Sequence, residues 1–202
     1  MPLSRRSVLA VAAGTALAVP GLARAEGGSR TSERSLGRPD AKVTVQEFFS
    51  LTCTHCAHFS QVTMPDVRTK LIDTGRIRYV YRDFPLDQVA LLAAMVARAL
   101  PPERFDAFIT ALFASQDRWA FARDVNTQDE LWKIAALAGM DRPTFDSAVK
   151  DEPLRAFILQ DQAEAQKRWQ VDSTPSFTFN DHKEAGAMDF ATFEKLVSAA
   201  AA

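Results

Sequence analysis

The stretch FFSLTCTHCAHFS, Phe48 to Ser60, carries Cys53 and Cys56, the only two cysteines in a chain of 202 residues. A bond between them would close a tiny loop, and the entropic gain from a disulfide shrinks with the loop it closes. A structural staple is therefore a poor reading of this pair. The spacing points to chemistry, and the residues on either side say which.

Before the pair, Lys42 to Phe49 alternates and then becomes continuously apolar, as a buried strand does. From Cys53 the period changes to a helical one, with Phe59, Val62, Val67 and Leu71 on roughly one side. Pro65 removes a backbone donor and predicts a kink in that helix. Gly75 ends it, and Ile77 to Tyr81 reads as a second strand, giving a βαβ unit.

A long helical block follows. Val89 to Leu100 is one helix, stopped by Pro101-Pro102. Phe105, Phe108, Ile109, Leu112 and Phe113 mark the apolar face of the next. Leu131 to Met140 is a third, and Asp141 is the candidate N-cap of a short fourth. Pro153 suits the first turn of a helix running to about Trp169. Ser176 to Asn180, a turn at Asn180-Asp181 and Lys183 to Gly186 predict a hairpin, and Asp189 to Ala199 a last helix.

The N-terminus reads as an export signal over residues 1–25. It has a basic start, an apolar run from Val8 to Val19 and the small-x-small pattern Ala23-Arg24-Ala25. Ser4-Arg5-Arg6-Ser7-Val8-Leu9 resembles a twin-arginine signal, although arginine pairs also occur in general secretory ones. The run is too short for a comfortable membrane span of about 20 residues. Cleavage after Ala25 leaves 21 basic against 25 acidic residues, which argues against nucleic acid as a partner. Polar residues 26–39 read as a flexible lead-in.

The order βαβ, helical block, α-β-β-α resembles the DsbA family, a thioredoxin-like α/β fold with an inserted all-helical domain. The resemblance rests on Glu47-Phe48-Phe49-Ser50 before Cys53-Thr54-His55-Cys56, on Tyr81-Arg82-Asp83-Phe84-Pro85-Leu86, and on Val171-Asp172-Ser173-Thr174-Pro175-Ser176-Phe177. It implies a thioredoxin-like domain over 40–86 and 151–202, with the helical domain at 87–150. It also implies a periplasmic or other extracytoplasmic thiol:disulfide oxidoreductase whose redox centre is the cysteine pair itself, with no metal or organic cofactor. Its partners would be reduced or unfolded exported proteins and a DsbB-like quinone-coupled membrane protein that reoxidises it. No membrane insertion is implied once the signal is cleaved.

In that family Cys53 is the exposed, attacking sulfur at a helix start, where free N–H groups and the helix dipole favour an anion. His55 and Thr54 tune it, and Cys56, one turn inward, resolves. Such surroundings bring a thiol from about 8.5 to roughly 3.5–7.5, a range in which DsbA and thioredoxin themselves fall. Glu47 matches a buried acid that tunes or relays the proton of Cys56; the other reading is a strand residue facing solvent. Pro175 matches a cis proline facing the pair, with Thr174 binding extended substrate as an added strand. The family's best-known oxidase has proline at the place of Thr54 and valine at that of Thr174, so a reductase or isomerase of opposite poise stays open.

Two other classes compete. Cys53, Cys56 and His58 could bind zinc or copper(I), although a closed zinc site wants four ligands. A thioredoxin fold can also serve as a chaperone module. His58 and His182 read as surface residues, Trp119, Trp132 and Trp169 as helix packing, and Arg82-Asp83 as a loop ion pair.

Overall fold

The computed structural model describes residues 30–202. The expected export signal lies outside the described residues. Five strands form one mixed sheet: β1 (Arg34–Leu36), β2 (Val43–Phe49), β3 (Ile77–Asp83), β4 (Ser176–Phe179) and β5 (His182–Ala185), in the spatial order β1-β3-β2-β4-β5. β2 and β3 are parallel and the other pairs antiparallel. Pleating sends Val43, Val45, Glu47 and Phe49 to one face of β2, and Phe48 to the other. Phe48 there meets Phe84, Ala165 and Val171.

After β2 the chain turns through Ser50–Thr52 into α1, a helical run of four pieces. Thr54–His58 and Met64–Val67 are α-helical, while Phe59–Thr63 and Arg68–Ile72 are π-helical turns. At Pro65 the structure shows a wider turn where a kink was expected. The Met64 N–H bonds the Phe59 carbonyl five residues back, so the ladder has already shifted register where the proline lacks its donor.

The insertion consists of α2 (Gln88–Ala99), α3 (Pro102–Ala114), α4 (Gln116–Trp119), α5 (Thr127–Leu137) and α6 (Arg142–Ala148). α7 (Glu152–Trp169) returns to the sheet, and α8 (Phe190–Ala200) follows the hairpin. The caps are side chains of the expected kind. Asp87, Asn126, Asp141, Asp151 and Asp189 each accept a backbone N–H at the head of a helix. The Asn126 cap starts α5 four residues before the expected Leu131. α4, a single turn, is too short to show a period.

Insertion and sheet share one apolar core. Phe49 of β2 stands edge-on to Tyr81 of β3 at 5.9 Å and to Phe113 of α3 at 6.0 Å. Phe59, Phe177, Phe179 and Phe193 close the other side, with ring centres 4.7–6.4 Å apart.

Two expectations are corrected. The lead-in is not loose within its described part: Arg34–Leu36 pairs with β3, and Arg34 is 1% exposed. Gly37, at φ +81, lets the chain leave this strand where a Cβ would meet the Ile77 carbonyl at 2.5 Å. Arg82 and Asp83 do not pair with each other in a loop. They end β3, where Arg82 binds Asp161 and buried Asp83 binds buried Arg98. Neighbouring strand residues point to opposite faces, so a pair adjacent in sequence is separated by the sheet.

The Asp83 cluster ties the N-terminal segment to the insertion. Arg98 donates to the Arg30 and Ser32 carbonyls at 3.3 and 3.1 Å, and Arg34 donates to the Arg98 carbonyl at 2.9 Å. Asp83→Ala leaves two guanidinium groups buried without that counter-charge and is expected to cost about 3–5 kcal/mol. Urea unfolding measures it; a loss under about 1 kcal/mol, the size found for exposed pairs, would show the cluster to be solvated.

Candidate active site

Cys53 is the N-cap of α1, with extended dihedrals of φ −81° and ψ 119°. Its sulfur takes the place usual for a serine or aspartate oxygen and accepts the Cys56 N–H at 3.4 Å. From the other side, the Cys53 thiol donates to the carbonyl of Thr174 at 3.3 Å. Thr174-Pro175 is a cis peptide bond, and the register of β2 with β4 brings this loop to the head of α1. Both cysteines are free thiols. Cys53 is less open than the resemblance implied, at 8% exposed, because the Thr174 loop covers it; Cys56 is at 0%.

The two thiols are driven apart in acidity. A hydrogen bond from Cys56 acts most strongly on Cys53, against the cost of burial, and Thr174 with the Cys56 and His55 N–H groups adds to it; the thiol falls from 9.0 to about 5. The Thr174 hydroxyl is buried without a partner while Cys53 remains a thiol, so an ionised sulfur offers it an acceptor. Burial pushes the Cys56 thiol well up, helped by its bond to Cys53 and the charge of Glu47.

Glu47 resolves in favour of the buried reading. It is 4% exposed, on the core face of β2, and accepts the Tyr79 hydroxyl at 2.7 Å. Burial lifts its carboxyl to about 7, against the Tyr79 bond and with the negative charges of Cys53 and Asp106. Tyr81 donates to Asp106 at 2.5 Å, and Arg68 reaches both Asp106 oxygens at 2.7 Å.

The remaining candidates are not drawn in. Thr54 and His55 lie exposed, and His55 acts on the sulfur through its backbone N–H rather than its ring. His58 is exposed, and among the described residues no three histidine, cysteine or acidic side chains gather into a metal-binding group. His182 is exposed beside Glu184. Trp119 is fully buried, and Trp132 and Trp169 pack at the core's edge.

Several residues that shape the turn escaped the sequence reading. Thr52 donates to Asp87 at 2.7 Å, the Leu86 N–H meets the Ser50 hydroxyl at 3.3 Å, and Gln116 of the insertion reaches the Leu51 and Cys53 carbonyls. Their partners lie 35 to 65 residues away, so no local pattern reveals them.

A cysteine pair at the head of the first helix, a cis-proline loop facing it and a helical insertion between β3 and α7 define a thioredoxin-like fold of DsbA architecture. The chain belongs to the thioredoxin family, whose model matches residues 29–199. It is 31% identical over 146 residues to a Rickettsia conorii protein named as a protein-disulfide oxidoreductase, covering 72% of this chain and 52% of that one. The chain thus spans about half the length of the curated relatives it matches. Among solved structures, Wolbachia pipientis alpha-DsbA1 superposes with a TM-score of 0.77 at 28% identity, over 84% of this chain and 91% of that one. A protein-disulfide isomerase from Novosphingobium aromaticivorans superposes at 0.71 with 27% identity, over 84% and 97%.

The acidities predict two opposed pH dependences. Cys53, lowered from 9.0 to about 5, contributes stability to the reduced protein that is full above pH 9.0 and lost as pH falls through about 5. Ultraviolet titration of the thiolate is expected to show a midpoint near 5; a midpoint near the ordinary 9.0 would deny that Cys56, Thr174 and the α1 N–H groups stabilise the anion. Glu47, raised from 4.5 to about 7, contributes stability below 4.5 that is lost as pH rises through about 7. Glu47→Gln keeps an acceptor for Tyr79 and is expected to stabilise the protein above pH 7 by up to about 3 kcal/mol. Urea midpoints across pH measure this, and an equal gain below pH 4.5 would point to packing instead.

Proposed function

We propose that this chain is an exported thiol:disulfide oxidoreductase that donates a Cys53–Cys56 disulfide to reduced exported proteins. The observation that carries the reading is the split in acidity across one helical turn, with Cys53 lowered to about 5 and Cys56 raised. A stabilised thiolate is a good leaving group.

In the first step a substrate thiolate attacks the Cys53 sulfur, and the Cys56 sulfur departs. Burial favours the neutral thiol there, so Cys56 takes up a proton, with the Glu47 carboxyl as the nearby acid. In the second step another substrate thiolate attacks the substrate sulfur of the mixed disulfide, and Cys53 leaves as a thiolate. Two electrons pass from the substrate dithiol to the protein, and no metal or organic cofactor is required. Thr174 and Pro175, beside the sulfur, are the residues against which an extended substrate would lie.

The N-terminal pattern supports export to the periplasm or an equivalent compartment, and a DsbB-like quinone-coupled membrane protein would restore the disulfide. Among the described residues no helix is long and apolar enough to cross a membrane. The second reading, an isomerase or reductase of opposite poise, is favoured by Thr174 and by the name of the Novosphingobium structure.

Cys56→Ser is expected to accumulate mixed disulfides through Cys53 in an oxidising extract, while Cys53→Ser forms none; adducts on Cys56 would reverse the roles. Urea unfolding of both redox forms near pH 7 separates the two readings. A donor stores stability in its reduced, ionised form, so the oxidised protein should unfold first. An oxidised form clearly more stable than the reduced one would select the reductase reading.

A further inference from the structure

The turn that carries Cys53 is clamped from the insertion. Gln116, the first residue of α4, is buried, and its amide nitrogen donates to the Leu51 carbonyl at 2.7 Å and to the Cys53 carbonyl at 3.1 Å. The Cys53 carbonyl also accepts the Ala57 N–H at 3.1 Å, the bond that opens α1. α4 is itself anchored, because fully buried Trp119 donates to the Leu112 carbonyl at 2.8 Å.

We propose that Gln116 is a positioning residue for Cys53: by holding the carbonyls on either side of Thr52, it fixes the turn that sets the sulfur over the first N–H groups of α1 and beside Thr174. The inference rests on Cys53 being the reactive thiol. Leu51 is 1% exposed, and a carbonyl in such a place is costly without a donor. Without Gln116, the peptides from Leu51 to Cys53 rotate to recover one. That rotation withdraws Cys53 from its extended N-cap dihedrals and loosens the sulfur's bond to the Cys56 N–H and its approach to the Thr174 hydroxyl. Those contacts favour the thiolate, so the insertion governs how acidic Cys53 is. The amide is uncharged and acts through position alone.

Gln116→Met keeps the length and removes both donors; Gln116→Glu keeps the shape and presents acceptor oxygens when ionised. The ionisable groups around Cys53 are His55 and Cys56 on α1, Glu47 on β2, and Asp87 through Thr52; all remain in both variants. The reduced full chain is titrated by thiolate absorbance, and its exchange rate with a small aromatic disulfide is followed against pH. The Met variant is expected to titrate about half a unit higher or more, a roughly three-fold fall in the thiolate-to-thiol ratio, and the Glu variant higher still. A Met variant with unchanged titration and exchange, even at lower urea stability, makes Gln116 a packing residue and overturns the proposal.

If neither variant folds, the wild-type protein still decides. The side-chain amide resonances of Gln116 should move with the Cys53 titration and stop moving in Cys53→Ser; amide signals that ignore the titration overturn the proposal. A wild-type protein that exchanges no disulfide at all overturns the oxidoreductase reading instead.

Discussion

Cys53 caps a helix with sulfur. A helix start leaves N–H groups without intrahelical partners, and an oxygen side chain usually meets one of them. Here the acceptor is a thiol that becomes a better acceptor once ionised, so the backbone's own requirement becomes a bias toward the thiolate. The parallel pairing of β2 with β3 fixes where the strand stops, and the β2–β4 register fixes where the Thr174 carbonyl arrives. Shifting β2 by one residue would turn Glu47 out of the core, and shifting β4 would move the cover off the sulfur.

The insertion belongs to this arrangement as much as the sheet does. Phe113 and Phe105 complete the aromatic packing around Phe49 and Tyr81, and Asp106 of α3 receives both Tyr81 and Arg68. Asp87 and Gln116 hold the cysteine turn from two different helices. The helical block thus supplies Asp106 to the acidic network and Gln116 to the clamp on the cysteine turn.

Most elements were legible in the sequence because they are long and periodic. The face of α3, the extent of α8, the Asp141 cap and the hairpin at Asn180-Asp181 came from local chemistry. β1 was missed because three residues show no alternation, and because a fully buried arginine is rare without partners that only the fold supplies. The burial of Glu47 was half legible: VTV places odd-numbered positions inward, and Glu47 continues that series, yet only Tyr79, two residues before its cross-strand neighbour Tyr81, explains how a carboxyl is kept there. The exposure of Cys53 was overstated, since the loop that covers it lies 121 residues away.

That separation has a consequence for the life of the chain before it is finished. The Thr174 carbonyl and β4, which complete the sulfur's surroundings, are synthesised long after Cys53 and Cys56. Until they arrive, β2 is paired with β3 alone, and the sulfur lacks the Thr174 loop across from it. A nascent or truncated chain therefore lacks the part of the Cys53 acidity that Thr174 supplies, while the bonds from Cys56 and the head of α1 lie within the segment already made. The topology thereby leaves the cover of the sulfur, and the last increment of its acidity, to the end of synthesis.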